Sequence, residues 1–354
     1  MAYFARSEPD LFAILFWGSR LIAGNHAYQL GEITTEYLNM DIQPLRTLGE
    51  RVDALVPIYR QLLDHPDPSQ AVAVQEKLND FYDVLLALPP YRDLKMNLNI
   101  SCDLFPLLAD QPEKWTEAMT VGTPINTRFR EILFNYETLP ERLNAFRTQV
   151  ALMLEWDFEK LRRRNGAAYG RAFSKYYHKV GAMAPFFFPD GDVDFQQSFD
   201  AAIRFIPIRN PDDLEEVVIG EETQFQDLAS FLYTDFYRGL IRGNAPRRCH
   251  NCGRYFLLTA GYNTCYCNNI APGETERTCR KVGAHRKEAK GKANRTPAQR
   301  EYERAYNRLK TRKHRGKIDV DEWNAAVAQA QELRAQSERG ELTDEELREK
   351  LSQL

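Results

Sequence analysis

Five of the six cysteines in this 354-residue chain fall between positions 249 and 279, and their spacing suits a metal ion. Cys249-x-x-Cys252 is followed by Gly253. Two thiolates bracket a tight turn, and glycine after the second accepts the backbone conformation that such a turn imposes. Tyr255 and Phe256 then open a short strand that covers one side of the site. A tetrahedral site needs two more ligands, and Cys265, Cys267 and Cys279 are available. Cys265 and Cys267 are separated by a single residue, and only one of them is expected to ligate. Cys279 is the fourth ligand, at the start of a helix that begins near Arg280. Four thiolates around Zn²⁺ leave a formal charge of −2, which Arg247, Arg248, Arg254 and Arg280 offset. His250 is badly placed beside Cys249, and His285 is a reserve ligand. Zinc in such a set is structural, because four protein ligands leave no position for water or substrate. An iron–sulfur cluster and unligated thiols are the alternatives.

The order Cys-x-x-Cys-Gly-x-x-Phe, then Tyr-Cys, then Cys-Arg resembles the small C-terminal zinc fingers of the CGNR type. Those follow a helical N-terminal region and are associated with DNA binding. Residues 247–350 resemble more closely an uncharacterised group of bacterial proteins, often from mobile-element surroundings, with a helical N-terminal part, a Cys-rich finger and a charged helical tail. Tyr266-Cys267-Asn268 resembles the aromatic-Cys-polar step of known fingers, which makes Cys267 the third ligand. The expected zinc set is thus Cys249, Cys252, Cys267 and Cys279, separated by 2, 14 and 11 residues. Arg280-Lys281-Val282 stands where Gly-Asn-Arg follows the last cysteine in the CGNR pattern, so that family's DNA contacts do not carry over.

The cysteines open a strongly basic segment. The formal charge of the chain is −3, yet residues 245–317 carry 19 Lys and Arg against 5 Asp and Glu. Residues 1–244 carry 24 against 35, and residues 318–354 carry 4 against 10. A basic module between two acidic ones points to a polyanionic partner. Thr296-Pro297-Ala298-Gln299 is a helix start with a capping Thr, Pro at the first position and Gln three residues after the cap. The helix over 297–315 has an apolar face of Tyr302, Ala305, Tyr306 and Leu309, which must dock on another element. Arg300, Arg304, Arg308 and Arg312 recur every four residues in one stripe. Like charges at that spacing repel by a few tenths of a kcal/mol per pair, so helix stability does not explain them. A nucleic acid does, with Arg280, Lys281, Arg286, Lys287 and the four stripe arginines as expected contacts. The opposing reading is a solvated face paired with the protein's own acidic parts. Lys287, Lys290, Lys292 and Arg295 precede the stripe in a segment expected to be mobile.

These modules sit in a mainly α architecture: a multi-helix N-terminal domain with minor β, a small four-cysteine zinc finger and C-terminal helices. The expected boundaries are 1–244 for an acidic helical domain, 245–287 for the finger, 288–317 for the basic segment and 318–354 for an acidic tail. Helical spacing covers residues 45–63, 69–88, 139–164, 167–183 and 222–242, and short strands are expected at 203–208 and 217–219. In the last helix Phe225, Leu228, Phe231, Leu232, Phe236 and Leu240 share a face, and Gly243-Asn244 ends it. The tail repeats with period 24: Arg315 to Trp323 aligns with Arg339 to Leu347, each unit a helix end followed by a helix start. Tail helices of this kind self-associate, or fold back over the basic helix.

The first 244 residues show no catalytic motif: neither a nucleophile elbow, nor a dinucleotide fingerprint, nor His-Glu-x-x-His. Asp190, Asp192 and Asp194 imitate a calcium loop, but Phe195 and Ala201 stand where Gly and Glu are needed. His26, His65 and His178 lack a partner pattern, Cys102 reads as a small buried side chain, and Arg162-Arg163-Arg164 as a solvated helix end. With 43% hydrophobic and 27% charged residues, collagen-like, mucin-like and wholly disordered chains are excluded. No run approaches about 18 apolar residues, so no membrane span is expected. The N-terminus lacks a basic flank and cleavage site, which gives a cytoplasmic expectation with reduced thiols. The expected function is a zinc-finger nucleic-acid-binding protein, regulatory or tied to mobile elements. A protein-interaction adaptor with a purely structural zinc site is the second reading, and an enzyme with an unrecognised N-terminal site the third.

Overall fold

In the computed structural model of the protein, which describes residues 12–94, 103–187, 201–260 and 262–354, the apolar run near the N-terminus is strand β1 (Phe12–Trp17). Phe12, Ile14 and Phe16 alternate into the core, which is strand periodicity. Gly18 and Gly24, each at φ 59°, open two-residue turns into β2 (Arg20–Ala23) and β3 (His26–Gln29). Glycine at the first turn position is what a tight hairpin of this hand demands. The strands expected at 203–208 and 217–219 form a longer hairpin, β4 (Ala201–Asn210) and β5 (Asp213–Phe225). β5 pairs antiparallel with β1, giving one sheet in the order β3-β2-β1-β5-β4.

The protein is mainly α-helical, with twelve α-helices among the described residues. Eight lie between β3 and the cysteine cluster: α1 (Glu32–Asn39), α2 (Ile42–Asp64), α3 (Ala71–Leu86), α4 (Leu104–Ala109), α5 (Pro112–Met119), α6 (Pro124–Met153), α7 (Gly166–Phe187) and α8 (Leu228–Arg242). Two expectations are corrected. The helix expected from 139 starts at Pro124, where the Thr123 hydroxyl accepts the Asn126 N–H, and it runs through Pro140. The helix expected from 222 starts at Leu228, because residues 221–225 pair with β1 and Asp227 caps the helix after them. The buried face of α8 includes Leu228, Phe231, Leu232, Phe236 and Leu240, and Gly243 at φ 88° ends the helix in a left-handed turn. Phe12, Phe225 and Phe231 pack ring against ring where the sheet meets α8.

The chain forms two compact units, Met1–Cys267 and Asn268–Leu354. The second holds α9 (Cys279–Ala293), α10 (Pro297–His314), α11 (Val320–Glu338) and α12 (Asp344–Gln353). The segment expected to be mobile before the arginine stripe is therefore helical up to Ala293. Helices α10, α11 and α12 each begin with a complete capping box, at Thr296/Gln299, Asp319/Glu322 and Thr343/Glu346. Ala298, Ala305 and Leu309 of α10 are buried with Ala330 of α11 and Leu347 and Leu351 of α12. Tyr306 meets Trp323 edge-on at 6.1 Å, and Lys313 lies over the Trp323 ring at 4.1 Å. The tail thus folds back onto the basic helix. No helix among the described residues is long and apolar enough to cross a membrane. Cys102, Asp190, Asp192 and Asp194 lie outside the described residues.

Candidate metal centre

The cysteine-bearing hairpin is held in place by three amide and carboxylate side chains. Strands β6 (Ala245–Arg248) and β7 (Tyr255–Leu258) pair antiparallel, bringing Arg248 opposite Tyr255. Asn39, the last residue of α1, accepts the Tyr255 N–H and donates to the Tyr255 carbonyl, both at 2.7 Å. Its amide thus imitates a neighbouring strand. Asn244 donates to the Leu30 carbonyl at 3.2 Å and accepts the Ala260 N–H at 3.1 Å. The start of α1 is fastened in turn by Asp235 of α8, which is fully buried and accepts from Gly31 N–H, Thr34 N–H and the Thr34 hydroxyl at 2.7, 2.9 and 2.8 Å. Burial pushes the Asp235 carboxyl up to about 6, against the pull of those three donors.

Between the two strands the chain makes the knuckle. Gly253 N–H donates to the Cys249 carbonyl at 2.9 Å, Cys249 N–H donates to the Arg254 carbonyl at 2.8 Å, and Gly253 sits at φ 75°. Only a residue free of a Cβ adopts that backbone readily. Cys267 N–H points at the Cys249 sulfur at 3.4 Å. Burial opposes ionisation of Cys249, but the N–H groups of Cys252, Cys267 and Asn251 outweigh it and hold the thiol down at about 7. In the second unit, residues 269–279 form a tight return. Ile270 bridges Thr278, and Cys279 N–H donates to the Asn269 carbonyl at 2.8 Å. Thr278 accepts the Lys281 N–H and caps α9, which places Cys279 in the first helical turn.

The sulfurs of Cys249, Cys252, Cys267 and Cys279 all lie within 4.8 Å of one another. Cys249, Cys267 and Cys279 are buried and Cys252 is half-buried. Four thiols converging in this way could hold a metal ion. Cys265 stands apart. Its sulfur accepts from Arg247 Nη2 at 3.0 Å, while Arg247 Nη1 donates to Asn263 Oδ1 and the Thr264 carbonyl. His250 packs against the Tyr266 ring and His285 is exposed; neither is in the cluster.

The basic residues divide into two groups. Arg280, Lys281 and Arg286 are exposed on α9, and the Lys287 side chain lies outside the described residues. Arg300 and Arg304 are exposed on α10; Arg300 donates to the Arg295 carbonyl at 3.2 Å and Arg304 to Glu301 at 2.8 Å. Arg308 and Arg312 instead donate to the carbonyls of Leu351 and Leu354, at the C-terminal end of α12. Cations there satisfy the last carbonyls of the helix and complement its dipole. Half of the stripe therefore has an internal role that repulsion along α10 does not reveal.

Sequence comparison finds a family match over part of the chain. Residues 196–354 match the model of a family of unknown function (DUF6076). The match spans the β4–β5 hairpin, α8, the cysteine cluster and all four helices of the second unit. No curated protein and no solved structure matches the chain. Sequence reasoning missed Asp235 and Asn39, and it gave Arg247 a charge-offsetting role without the contact to Cys265. Only Asp235 left a trace, as an acid one position before Phe236 on the apolar face of α8.

Proposed function

We propose that Cys249, Cys252, Cys267 and Cys279 hold a structural Zn²⁺ ion and that the protein binds nucleic acid through the basic helices after them. The convergence of the four thiols carries the zinc reading. Zn–S bonds of about 2.3 Å put tetrahedral sulfurs about 3.8 Å apart, and the Cys252 and Cys267 sulfurs are 3.6 Å apart. An all-thiolate, largely buried donor set is soft and closed, which suits zinc and leaves no catalytic position. The N–H groups aimed at Cys249 stabilise a thiolate there before any metal arrives. Arg280, Lys281, Arg286, Arg300 and Arg304 are the phosphate contacts, exposed on two successive helices directly after the last cysteine. The acidic tail packs on the apolar face of α10, not over Arg300 and Arg304.

The test is a mobility shift of the full chain on DNA and RNA at rising salt, with metal content measured on the same sample. Bound zinc at one per chain and an affinity that falls steeply with salt are expected. Zinc-loaded protein that shifts neither nucleic acid at low salt sinks the nucleic-acid reading. A second reading draws on Arg308 and Arg312, whose carbonyl contacts give half of the stripe a folding role. On that reading the zinc site is a fold staple and the remaining cations meet an acidic protein surface.

A further inference from the structure

A second basic surface lies within the first unit, beside the loop that carries Cys265 and Cys267. Asn263 Nδ2 donates to the Arg162 carbonyl at 3.1 Å, which ties residues 159–165 to the loop holding Tyr262, Asn263 and Thr264. Lys160, Arg162 and Arg163 are exposed, and among the described residues no hydrogen bond or ion pair engages their side chains. Of the acids in the preceding turn, Asp157 pairs with Lys179 at 2.8 Å, and among the described residues no ion pair joins the exposed Glu155 and Glu159 to these cations.

Two further guanidiniums raise the positive potential beneath this surface. Arg164 and Arg247 are each 7% exposed, and the Nε atom of each is buried without a hydrogen-bond partner. Burial and the neighbouring Arg247 charge push the Arg164 guanidinium below its ordinary range. Asn165 caps α7 by accepting the Ala168 N–H at 2.9 Å, so the arginines also sit at the positive end of a 22-residue helix. Arg164 Nη2 donates to the Glu159 carbonyl at 3.1 Å, at the end of the preceding helical run. Arg162 and Arg163 have no such contact among the described residues, and cations at a helix N-terminus oppose its dipole. Tyr262, on the tied loop, is 61% exposed and offers a ring to solvent.

Resting on the nucleic-acid reading above, we propose that Arg162, Arg163 and Tyr262 form a contact site for an unpaired strand. The guanidiniums engage its phosphates and the Tyr262 ring stacks on a base. Guanidiniums beside an exposed aromatic ring suit single strands, because a duplex keeps its base faces covered. The form of the partner is thereby set by the first unit, whose net charge is acidic.

The test uses the full chain and fluorescently labelled DNA of one length, single-stranded and duplex, titrated across a salt series. Arg162→Ala with Arg163→Ala is expected to flatten the log–log salt slope for the single strand by about 1.4, the value for two lost phosphate contacts. Tyr262→Ala is expected to weaken the single strand by about fivefold or more and leave the duplex unchanged, while Tyr262→Phe keeps full affinity. All three residues are exposed, and unchanged melting curves verify that the variants fold. An unchanged slope in the arginine variant, or a Tyr262→Ala effect that is absent or equal on both forms, overturns this proposal and leaves the nucleic-acid reading standing. Wild-type protein that binds neither form at low salt overturns both.

Discussion

Arg247 donates to the sulfur of Cys265 across 3.0 Å, while the sulfur of Cys267, two residues further on, lies 3.6 Å from that of Cys252. Two thiols separated by a single residue therefore occupy different chemical environments. One is held by a guanidinium and the other joins a thiol cluster.

This contrast separates two serine variants. On the proposed function, Cys267→Ser is expected to lose zinc and Cys265→Ser to keep it, read as metal per chain after dialysis against a mild chelator. Equal loss in both would contradict the assignment.

The buried carboxyl of Asp235 imposes a pH dependence on stability. Its value of about 6 in the folded protein lies above the ordinary 3.8, so the folded state binds the proton more tightly than the unfolded chain. The associated stabilisation is complete below about pH 4 and is lost as pH rises through about 6, amounting to about 3 kcal/mol at most. Asp235→Asn should remove this dependence, measured as the difference between wild-type and variant denaturation curves from pH 4 to 8. On the proposed function, taking the difference also cancels proton-linked zinc release, which both proteins would share. The variant is also expected to be less stable at pH 7 by about 1–3 kcal/mol, because an amide N–H₂ replaces one acceptor facing backbone donors.

Asn39 is the clamp on the cysteine-bearing hairpin. Asn39→Ala leaves the Tyr255 N–H and carbonyl without their partner and should cost about 1–3 kcal/mol. Hydrogen exchange at the Tyr255 amide should accelerate, and, on the proposed function, zinc should leave faster to a chelator. Asn39→Asp keeps the acceptor and loses the donor, so its effect should be intermediate.

The second unit rests on a small core of Ala298, Ala305, Leu309, Ala330, Leu347 and Leu351, half of them alanines, so its leucines matter disproportionately. Leu347→Ala should cost about 2–5 kcal/mol and undock α12. Protease cleavage within residues 343–354 is the readout. Undocking also takes the Leu351 and Leu354 carbonyls away from Arg308 and Arg312. On the proposed function, the two released guanidiniums should steepen the salt dependence of nucleic-acid binding.

Much of the helical architecture was legible because its signals are local. Apolar spacing marks α2, α3 and α8, and each capping box in the second unit joins residues three apart. The N-terminal strands were legible too, in Gly18-Ser19 and Gly24-Asn25 between short apolar runs, but the expected pattern was dominated by helices. The true start of α6 carried the same Thr-Pro signature as α10, at Thr123-Pro124. The basic character of residues 159–165 was visible, whereas its neighbour across the fold was not.

The sequence alone determined the cysteine spacing, the segregation of charge and several helix starts and stops, because these are read from composition or from residues a few positions apart. The tertiary structure decided the rest. It paired β1 with β5, set Asp235 beneath Thr34 and clamped Tyr255 with Asn39, contacts that span about 200 residues or more. It also gave Arg247 to Cys265 and turned Arg308 and Arg312 onto α12. Such contacts leave no periodic trace, since the energy that selects them comes from burial and from satisfying polar groups across the whole core. Whether an exposed cation meets a carbonyl of its own chain or stays available to a phosphate is settled only when the helices dock.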